Sequence, residues 1–246
     1  FCVTLCVLEK CAVNFDWQAN WMTEEHLMFK ESMRKFMEAE IAPNTDLWAE
    51  QGIVDREFWL KAGSAGLLGA SAPTEFGGAG VDQSFDALTI YEQARVGDAG
   101  WGFGVHNIRM HYILGYGNDE QRSRWLPGLI AGEIIPAIAM TEPGTGSDLQ
   151  AVKTTATADG DDYVLNGSKI FITNGQQADI VIVVAKTDKQ AGASGVSLIV
   201  LEASEVTGFQ RGRNLKKLGM KGQDTSELFF EDVRVPRTNL LGQNEG

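Results

Sequence analysis

The sequence has few positively charged residues for its length. It carries 21 lysines and arginines against 33 aspartates and glutamates in 246 residues, which gives a formal net charge of −12. Proteins whose main partner is DNA or RNA present a basic surface to the phosphate backbone. The acidic balance therefore argues against nucleic acid as the main partner, while a local basic patch can still hold a smaller anion.

Cysteine is absent from the body of the chain, since the three cysteines are Cys2, Cys6 and Cys11. An odd number without metal-ligand spacing predicts neither a disulfide framework nor a zinc site. We therefore expect a reducing compartment.

Long apolar runs are absent as well. No stretch approaches the roughly 18 uncharged apolar residues of a transmembrane helix, so we expect no membrane span. The opening FCVTLCVLEKCAVNF lacks a basic segment and contains Glu9, which argues against a secretory signal peptide. The first arginine is Arg34, which argues against a mitochondrial transit peptide. Residues 1–22 are treated as a tail without a readable targeting signal.

Residues 23–132 have the apolar spacing of helices. In TEEHLMFKESMRKFMEAEI, Thr23 is an expected N-cap, and apolar residues recur at three-to-four spacing on one face: Phe29, Met33, Phe36, Met37 and Ile41. Pro43 ends this helix. A second helix is expected from Asp55, and three more in QSFDALTIYEQARVG, WGFGVHNIRMHYILGYG and NDEQRSRWLPGLIAG, the last with a capping box at Asn118 and Gln121.

Beyond Pro136 the hydrophobic period becomes two. TTATADG and DDYVLNG predict a hairpin with a Gly-Asp turn, followed by strands in SKIFITNG, DIVIVVAKT, GVSLIVLEA and TSELFFEDVRV. Such strands with Gly-rich turns favour a small sandwich or barrel over βαβ units. The predicted fold class is α+β multidomain: an N-terminal all-α helical domain (23–132) followed by a small β-barrel or sandwich domain (133–246).

The glycine-rich loop TEPGTGSD, residues 141–148, is a candidate phosphate site, because bare backbone N–H groups can approach phosphate closely. It is not a Walker A loop, since Ser147 and Asp148 stand where Lys-Ser/Thr is required. It also lacks the last glycine of GxGxxG, which Leu149 replaces, and a hairpin rather than a helix is expected downstream. For the isolated motif, a simple polar turn remains the alternative.

Three segments in register change this interpretation: AMTEPGTGSDLQAVKT, LNGSKIFITNG and LKKLGMKGQDTSELFFEDVRVP. They resemble three successive motifs of the acyl-CoA dehydrogenase family, most closely its long-chain type, over residues 23–246. The resemblance implies a helical domain, a middle β-barrel and a C-terminal four-helix bundle, usually in a homotetramer. It also implies oxidation of an acyl-CoA thioester at Cα–Cβ to the trans-2-enoyl-CoA, with hydride transfer to FAD. An acyl-CoA oxidase and a flavin monooxygenase are alternatives on the same fold.

The resemblance further implies acyl-CoA as substrate, electron-transfer flavoprotein as electron acceptor, and the bacterial cytoplasm or the mitochondrial matrix as location. It implies a cofactor-binding set of Ile138, Ala139, Met140, Thr141, Gly144, Thr145, Gly146, Ser147, Phe171, Ile172 and Thr173. The implied substrate contacts are Ser147, Ala193 and Ser194.

Within the cofactor set, the resemblance places Thr141 at the flavin pyrimidine edge together with Ile138 and Met140. Donors at that edge favour the negative charge that develops there on reduction. Ser147 is placed with Gly146 at the pyrophosphate, Phe171 on the isoalloxazine ring, and Thr173 near N5. Phe171 replaces the tryptophan of many family members and is typical of the long-chain type.

No catalytic base is assigned. Removing the α-proton of a thioester requires a positioned carboxylate, and the family's glutamate lies in the bundle, beyond Gly246. Glu245 matches the interdomain turn, while Glu142 and Asp148 are interpreted as loop-shaping acceptors of backbone N–H groups. Two hypotheses follow: part of a working dehydrogenase, or a non-catalytic module that binds FAD or acyl-CoA.

Two further features have open interpretations. The segment VTGFQRGRNLKKLGMK carries five cations and no acid, which suits either the phosphates of CoA or a solvated face or subunit contact. Its cations are Arg211, Arg213, Lys216, Lys217 and Lys221. His106 and His111 are five residues apart, the wrong spacing for a metal pair on a helix, so no metal site is expected.

Overall fold

The computed structural model describes residues 18–98, 100–242 and 244–246. The three cysteines and the tail up to residue 17 lie outside the described residues, so the predictions made for them stay predictions. In the described part, a helical domain is followed by a β-sheet domain, as the fold-class prediction requires. None of the described helices has both the length and the apolar character that crossing a membrane demands.

The described helices are α1 (Glu24–Phe36), α2 (Thr45–Gln51), α3 (Arg56–Ser64), α4 (Gln83–Arg95), α5 (Phe103–Tyr116) and α6 (Asp119–Ala131). A π-helical turn continues α1 to Ile41. The predicted apolar face of α1 is confirmed, because it packs into a core that includes Trp48, Phe58 and Trp59. The capping box at α6 is confirmed too: Gln121 N–H donates to Asn118 Oδ1 at 2.8 Å, and Asn118 N–H donates to Gln121 Oε1 at 3.0 Å.

Helix α2 corrects the sequence-based prediction, which placed no element between Pro43 and Asp55. The helix has seven residues, too few for a hydrophobic period to emerge. Its tertiary contacts stabilise it instead: Trp48 is buried, and its indole N–H donates to Asp55 Oδ2 at 3.1 Å. The helix ends at Gly52, whose φ of +75° is a conformation that glycine adopts without strain.

The described strands are β1 (Pro136–Ala139), β2 (Thr155–Asp159), β3 (Asp162–Thr173), β4 (Ile180–Lys186), β5 (Val196–Glu202), β6 (Phe209–Asn214), β7 (Thr225–Pro236) and β8 (Leu240–Leu241). They form one sheet in the order β6-β7-β3-β2-β4-β5-β8, and β1 pairs with β4 in parallel. The sheet curls, because β5 also contacts β7 and β1 also contacts β3. Its inner face holds a single apolar cluster drawn from six of the strands.

The predicted hairpin of β2 and β3 is confirmed, with Gly160 at φ +63° in its turn. The separate strand predicted for SKIFITNG is wrong, because those residues continue β3 along β7. Two register shifts interrupt this pairing, one beside Gly167 and one between Lys169 and Ile172. At Gly167 the chain bends with φ +148°, and a Cβ there would lie 2.5 Å from Thr154 Oγ1. These bulges made one long strand look like two.

Strand β4 joins the two domains. Val181 and Val183 point into the sheet core, while Ile180 and Ile182 pack with apolar residues of α5 and α6. Burial on both faces explains the uninterrupted apolar run of this strand. The domain bounds at residues 132 and 133 remain a prediction, since apolar contacts run across that position.

Candidate cofactor site

Strand β1 leaves one of its edges unpaired. Ile135 C=O accepts from Ile180 N–H of β4, and backbone groups of successive residues face opposite edges of a strand, so residues 137 and 139 face β4. Ile138 and Met140 therefore face away from it. No described residue bonds the N–H or C=O of Ile138 or the N–H of Met140. We call these groups the open edge of β1.

Side chains donate hydrogen bonds to the carbonyls at the two ends of this open edge. Asn174 Nδ2 donates to Pro136 C=O at 3.3 Å, and Lys169 Nζ donates to Met140 C=O at 2.9 Å. Between these two contacts, β1 presents donors and an acceptor in a row. Such a row matches the polar rim of a planar heterocycle, which also alternates donors and acceptors.

The bulge of β3 lies beside the end of β1. Ile170 N–H donates to Thr141 C=O at 2.9 Å. The next residue, Phe171, has φ +62° and a side chain that is 62% exposed. A left-handed backbone at a bulky residue is uncommon and is concentrated at functional sites. The bulge thus brings Thr141 and an exposed aromatic ring together.

The loop after Thr141 closes on itself. Glu142 N–H donates to Thr145 C=O at 2.9 Å, and Thr145 N–H donates to Glu142 C=O at 3.1 Å. A Cβ placed on Gly144 or Gly146 would meet no atom within 4 Å, and neither residue has a positive φ. Neither packing nor conformation within the chain therefore requires these glycines. Their bare backbone lies open to a ligand, as phosphate-binding loops do.

Glu142 anchors the loop to β3 and to the segment that leads into β2. Its carboxylate accepts from Lys153 N–H at 2.6 Å, from Thr154 N–H at 2.9 Å and from Lys169 Nζ at 2.9 Å. Burial raises the pKa of Glu142, but these hydrogen bonds outweigh burial and hold the pKa below its ordinary value. Asp148 accepts from Gln150 N–H at 3.2 Å. The interpretation of Glu142 and Asp148 as loop-shaping acceptors is confirmed.

Lys169 is the site residue that the sequence analysis missed. It is 1% exposed, and burial lowers its pKa, an effect that the Glu142 carboxylate opposes. The signal was present in the sequence: a lone lysine in the apolar alternation of SKIFIT, at an inward position of the strand. Its partner Glu142 is far away along the chain, so no local pattern connected the two.

Other members of the predicted set have limited reach. The side chains of Ala139 and Ile172 are buried in the sheet core, so only their backbone groups can meet a ligand. The hydroxyl of Thr145 donates to Ala151 C=O at 3.0 Å. Thr173 is half-buried and pairs with Thr225 of β7. Their roles as cofactor contacts stay predictions.

The predicted substrate contacts lie close to the loop. The short turn at Leu149–Ala151, just after Ser147, contacts the turn at Gly192–Gly195. Ser147, Ala193 and Ser194 are all exposed, and Ser194 Oγ donates to Ala191 C=O at 3.0 Å. The three residues therefore lie on neighbouring surface turns, which is the arrangement that a shared ligand requires.

The basic segment divides in two. Arg211 donates to Ala178 C=O at 2.7 Å, Arg213 pairs with Glu227 at 2.7 Å, and Lys217 donates to Thr225 Oγ1 at 2.7 Å. These three cations are therefore engaged by partners within the β-domain. Lys216 and Lys221 have no partner among the described residues and line a cavity of about 480 Å³ beside the C-terminus of α2. Only these two remain candidates for an anionic ligand.

The histidines are interior or supporting residues. His106 is fully buried, its Nε2 lies 3.0 Å from Leu129 C=O, and burial lowers its pKa to about 3. His111 Nε2 lies 3.2 Å from Ser71 Oγ. Across the described ranges, no group of three or more His, Cys, Asp or Glu side chains is placed to hold a metal ion.

Two family models match the chain. Residues 23–133 match the acyl-CoA dehydrogenase N-terminal domain, and residues 137–233 match the acyl-CoA dehydrogenase middle domain. The chain therefore belongs to the acyl-CoA dehydrogenase family, whose N-terminal and middle domains it carries. It is 50% identical over 228 residues to the mitochondrial long-chain specific acyl-CoA dehydrogenase of Sus scrofa, an alignment covering 91% of this chain and 53% of that protein.

Solved structures agree with this assignment. An acyl-CoA dehydrogenase from Geobacillus kaustophilus superposes with a TM-score of 0.89 at 46% identity, covering 92% of this chain and 60% of that one. A glutaryl-CoA dehydrogenase from Mycobacterium smegmatis, solved in complex with FADH2, superposes with a TM-score of 0.83 at 31% identity, covering 92% and 57%. The relatives thus include mitochondrial and bacterial enzymes, and the chain spans about half the length of its curated relative.

Proposed function

We propose that this chain is the N-terminal and middle-domain portion of an FAD-dependent acyl-CoA dehydrogenase. The open edge of β1 carries the proposal, because it offers a row of unpaired backbone groups directly beside the exposed ring of Phe171. A flavin has the matching features: a flat apolar ring system, a polar pyrimidine rim and a pyrophosphate. The residues present therefore fit FAD.

Each part of the site has a part of the cofactor to hold. The open edge, with Thr141, would hydrogen-bond the pyrimidine rim, and donors there favour the charge that reduction places on it. Phe171 would pack on the isoalloxazine ring, and Thr173 would bond near N5. The bare backbone at Gly144 and Gly146, with Ser147, would hold the pyrophosphate.

The proposed reaction removes two hydrogens from the acyl group. A base takes the proton from Cα, the hydride leaves Cβ, and the electron pair from the Cα–H bond forms the trans double bond. FAD, when bound, accepts that hydride. The acids beside the open edge do not suit the base: Glu142 already holds three donors, and Asp148 bonds the backbone of its own loop. We infer that the base comes from outside residues 1–246, as in the family's bundle.

The substrate class is a proposal at two levels. Acyl-CoA follows from family membership, with Ser147, Ala193 and Ser194 as contacts on adjacent turns. The long-chain preference is supported by the 50% identity to a long-chain specific relative and by Phe171. We further propose electron-transfer flavoprotein as the acceptor that reoxidises the flavin, a homo-oligomer as the assembled state, and the bacterial cytoplasm or the mitochondrial matrix as the location.

An anaerobic titration of the chain with FAD, then with palmitoyl-CoA, tests the proposal. We expect saturable binding of FAD, seen as a change in flavin absorbance and fluorescence, with weak retention on gel filtration. Palmitoyl-CoA is expected to leave the flavin oxidised, since the proposed base lies outside residues 1–246. No saturable binding would overturn the flavin site, and bleaching by substrate would show that residues 1–246 contain the base.

A further inference from the structure

Lys169 occupies an inward position of β3 among apolar neighbours. Its ammonium donates both to Met140 C=O and to the Glu142 carboxylate, each at 2.9 Å. The side chains are 0% and 5% exposed. Burying an ion pair costs hydration free energy, and the attraction between the two charges recovers only part of that cost. Such a pair is therefore weak evidence for a role in stability. Its position indicates another role.

The ammonium lies at one end of the open edge of β1. The N–H and C=O of one residue in a strand face the same edge, so Met140 C=O faces the same way as the free Met140 N–H. An unpaired carbonyl there would direct its negative end toward a ligand on the edge. Lys169 donates to that carbonyl, so the positive charge of its ammonium lies at this end of the edge and offsets the negative end of the carbonyl. The charge is weakly screened, because the group is buried.

Glu142 balances this charge from the other side. Its carboxylate is bonded to the N–H groups of Lys153 and Thr154, which hold it on the side of the loop that leads into β2. The ammonium bonds the β1 edge directly, whereas the carboxylate does not. The pair is therefore an oriented dipole with its positive end at Met140.

We propose that Lys169 is a positioning residue that tunes the flavin, its charge at the Met140 end of the open edge favouring the reduced, negatively charged cofactor. The inference rests on the proposed function, because it requires FAD to lie along that edge. It predicts that the protein binds reduced FAD more tightly than oxidised FAD, and that Lys169 supplies part of the difference.

The test measures the dissociation constants of oxidised FAD and of chemically reduced FAD under anaerobic conditions. Their ratio, Kd of oxidised over Kd of reduced FAD, reports the shift in reduction potential even where binding is weak. Lys169→Met should lower this ratio about tenfold, equivalent to about 30 mV for a two-electron couple. Lys153→Met is the matched control: it removes an exposed cation from the same loop without touching Met140 and should leave the ratio unchanged.

Glu142→Gln separates tuning from a purely structural role. It removes the counter-charge and leaves the ammonium, so the ratio should rise, and Lys169→Arg should keep it near the wild-type value. Circular dichroism checks that each variant folds. If Lys169→Met does not fold, the ratio measured for Glu142→Gln tests the inference by itself. An unchanged or lower ratio in Glu142→Gln, or equal loss of both affinities in Lys169→Met, overturns the inference. Failure of wild type to bind either form of FAD overturns the proposed function instead.

Discussion

The N–H of Ile170 donates a 2.9 Å hydrogen bond to the carbonyl of Thr141, across 29 positions of the chain. This bond fastens the end of β1 to the bulge of β3. It thereby places the threonine that opens the glycine-rich loop beside Phe171, the exposed ring that follows Ile170.

Phe171 is expected to act in binding rather than in folding. Phe171→Gly relieves the strain of a left-handed backbone, which costs a bulky residue about 1 kcal/mol. It also makes the unfolded chain more flexible, which raises the entropic cost of folding by a similar amount. The free energy of unfolding in urea should therefore change by less than about 1 kcal/mol. FAD affinity should fall about tenfold through loss of ring contact. Phe171→Trp should retain affinity, and tight FAD binding by Phe171→Gly would contradict the prediction.

Gly146 and Gly63 should respond in opposite ways to alanine. A Cβ at Gly146 meets nothing within 4 Å, whereas at Gly63 it would lie 2.1 Å from Ala131 C=O. Gly146→Ala should leave stability unchanged or raise it by about 0.5 kcal/mol, while FAD affinity falls because the methyl group occupies the ligand's approach. Gly63→Ala should lower the free energy of unfolding by about 1–3 kcal/mol. At temperatures where this variant is folded, its FAD affinity should be unchanged. Unaltered FAD binding by Gly146→Ala would show that the loop is not part of the FAD site.

His106 should make stability depend on pH. Its folded pKa is about 3, against about 6.5 in the unfolded chain, since burial disfavours the imidazolium. The unfolded state binds the proton first, so this contribution is complete above about pH 6.5 and is lost as pH falls toward 3. The loss is at most about 1.4 kcal/mol per pH unit. Urea unfolding at stepped pH should show this slope in wild type and a shallower one in His106→Gln; parallel slopes would sink the prediction.

Arg56 should couple the two domains. From α3 its guanidinium donates to Asp179 Oδ2 and to Glu133 C=O, each at 2.6 Å, and Asp179 also accepts from Ile135 N–H at 2.7 Å. Both charged groups are partly exposed, so their coupling in a double-mutant cycle of Arg56→Met and Asp179→Asn should be about 0.5–1 kcal/mol. Arg234 and Asp159, which bond within the β-domain, are the control pair. We expect the two domains to unfold together in one transition. Substitution of the control pair should leave the domains unfolding together, whereas Arg56→Met should weaken that link. If Arg56→Met also leaves the transition unaltered, the coupling is contradicted.

Local patterns were sufficient for much of the fold. The capping box at Asn118, the apolar face of α1 and the hairpin turn at Gly160 each depend on residues close together in sequence, and each is confirmed. Helix α2 escaped because its seven residues derive stability from the burial of Trp48 rather than from a period of their own. Strand β3 was divided in two because its bulges interrupt the alternation that defines a strand.

The candidate site divides in the same way. Its glycines and hydroxyls could be read from the loop TEPGTGSD alone, because the chemistry of such a loop lies in its own backbone. The open edge of β1 and the pairing of Lys169 with Glu142 could not, since both depend on which strands become neighbours. Residue spacing determined the elements and the loop; burial and strand pairing between distant segments decided which backbone groups stay unpaired, and so where a ligand can bind.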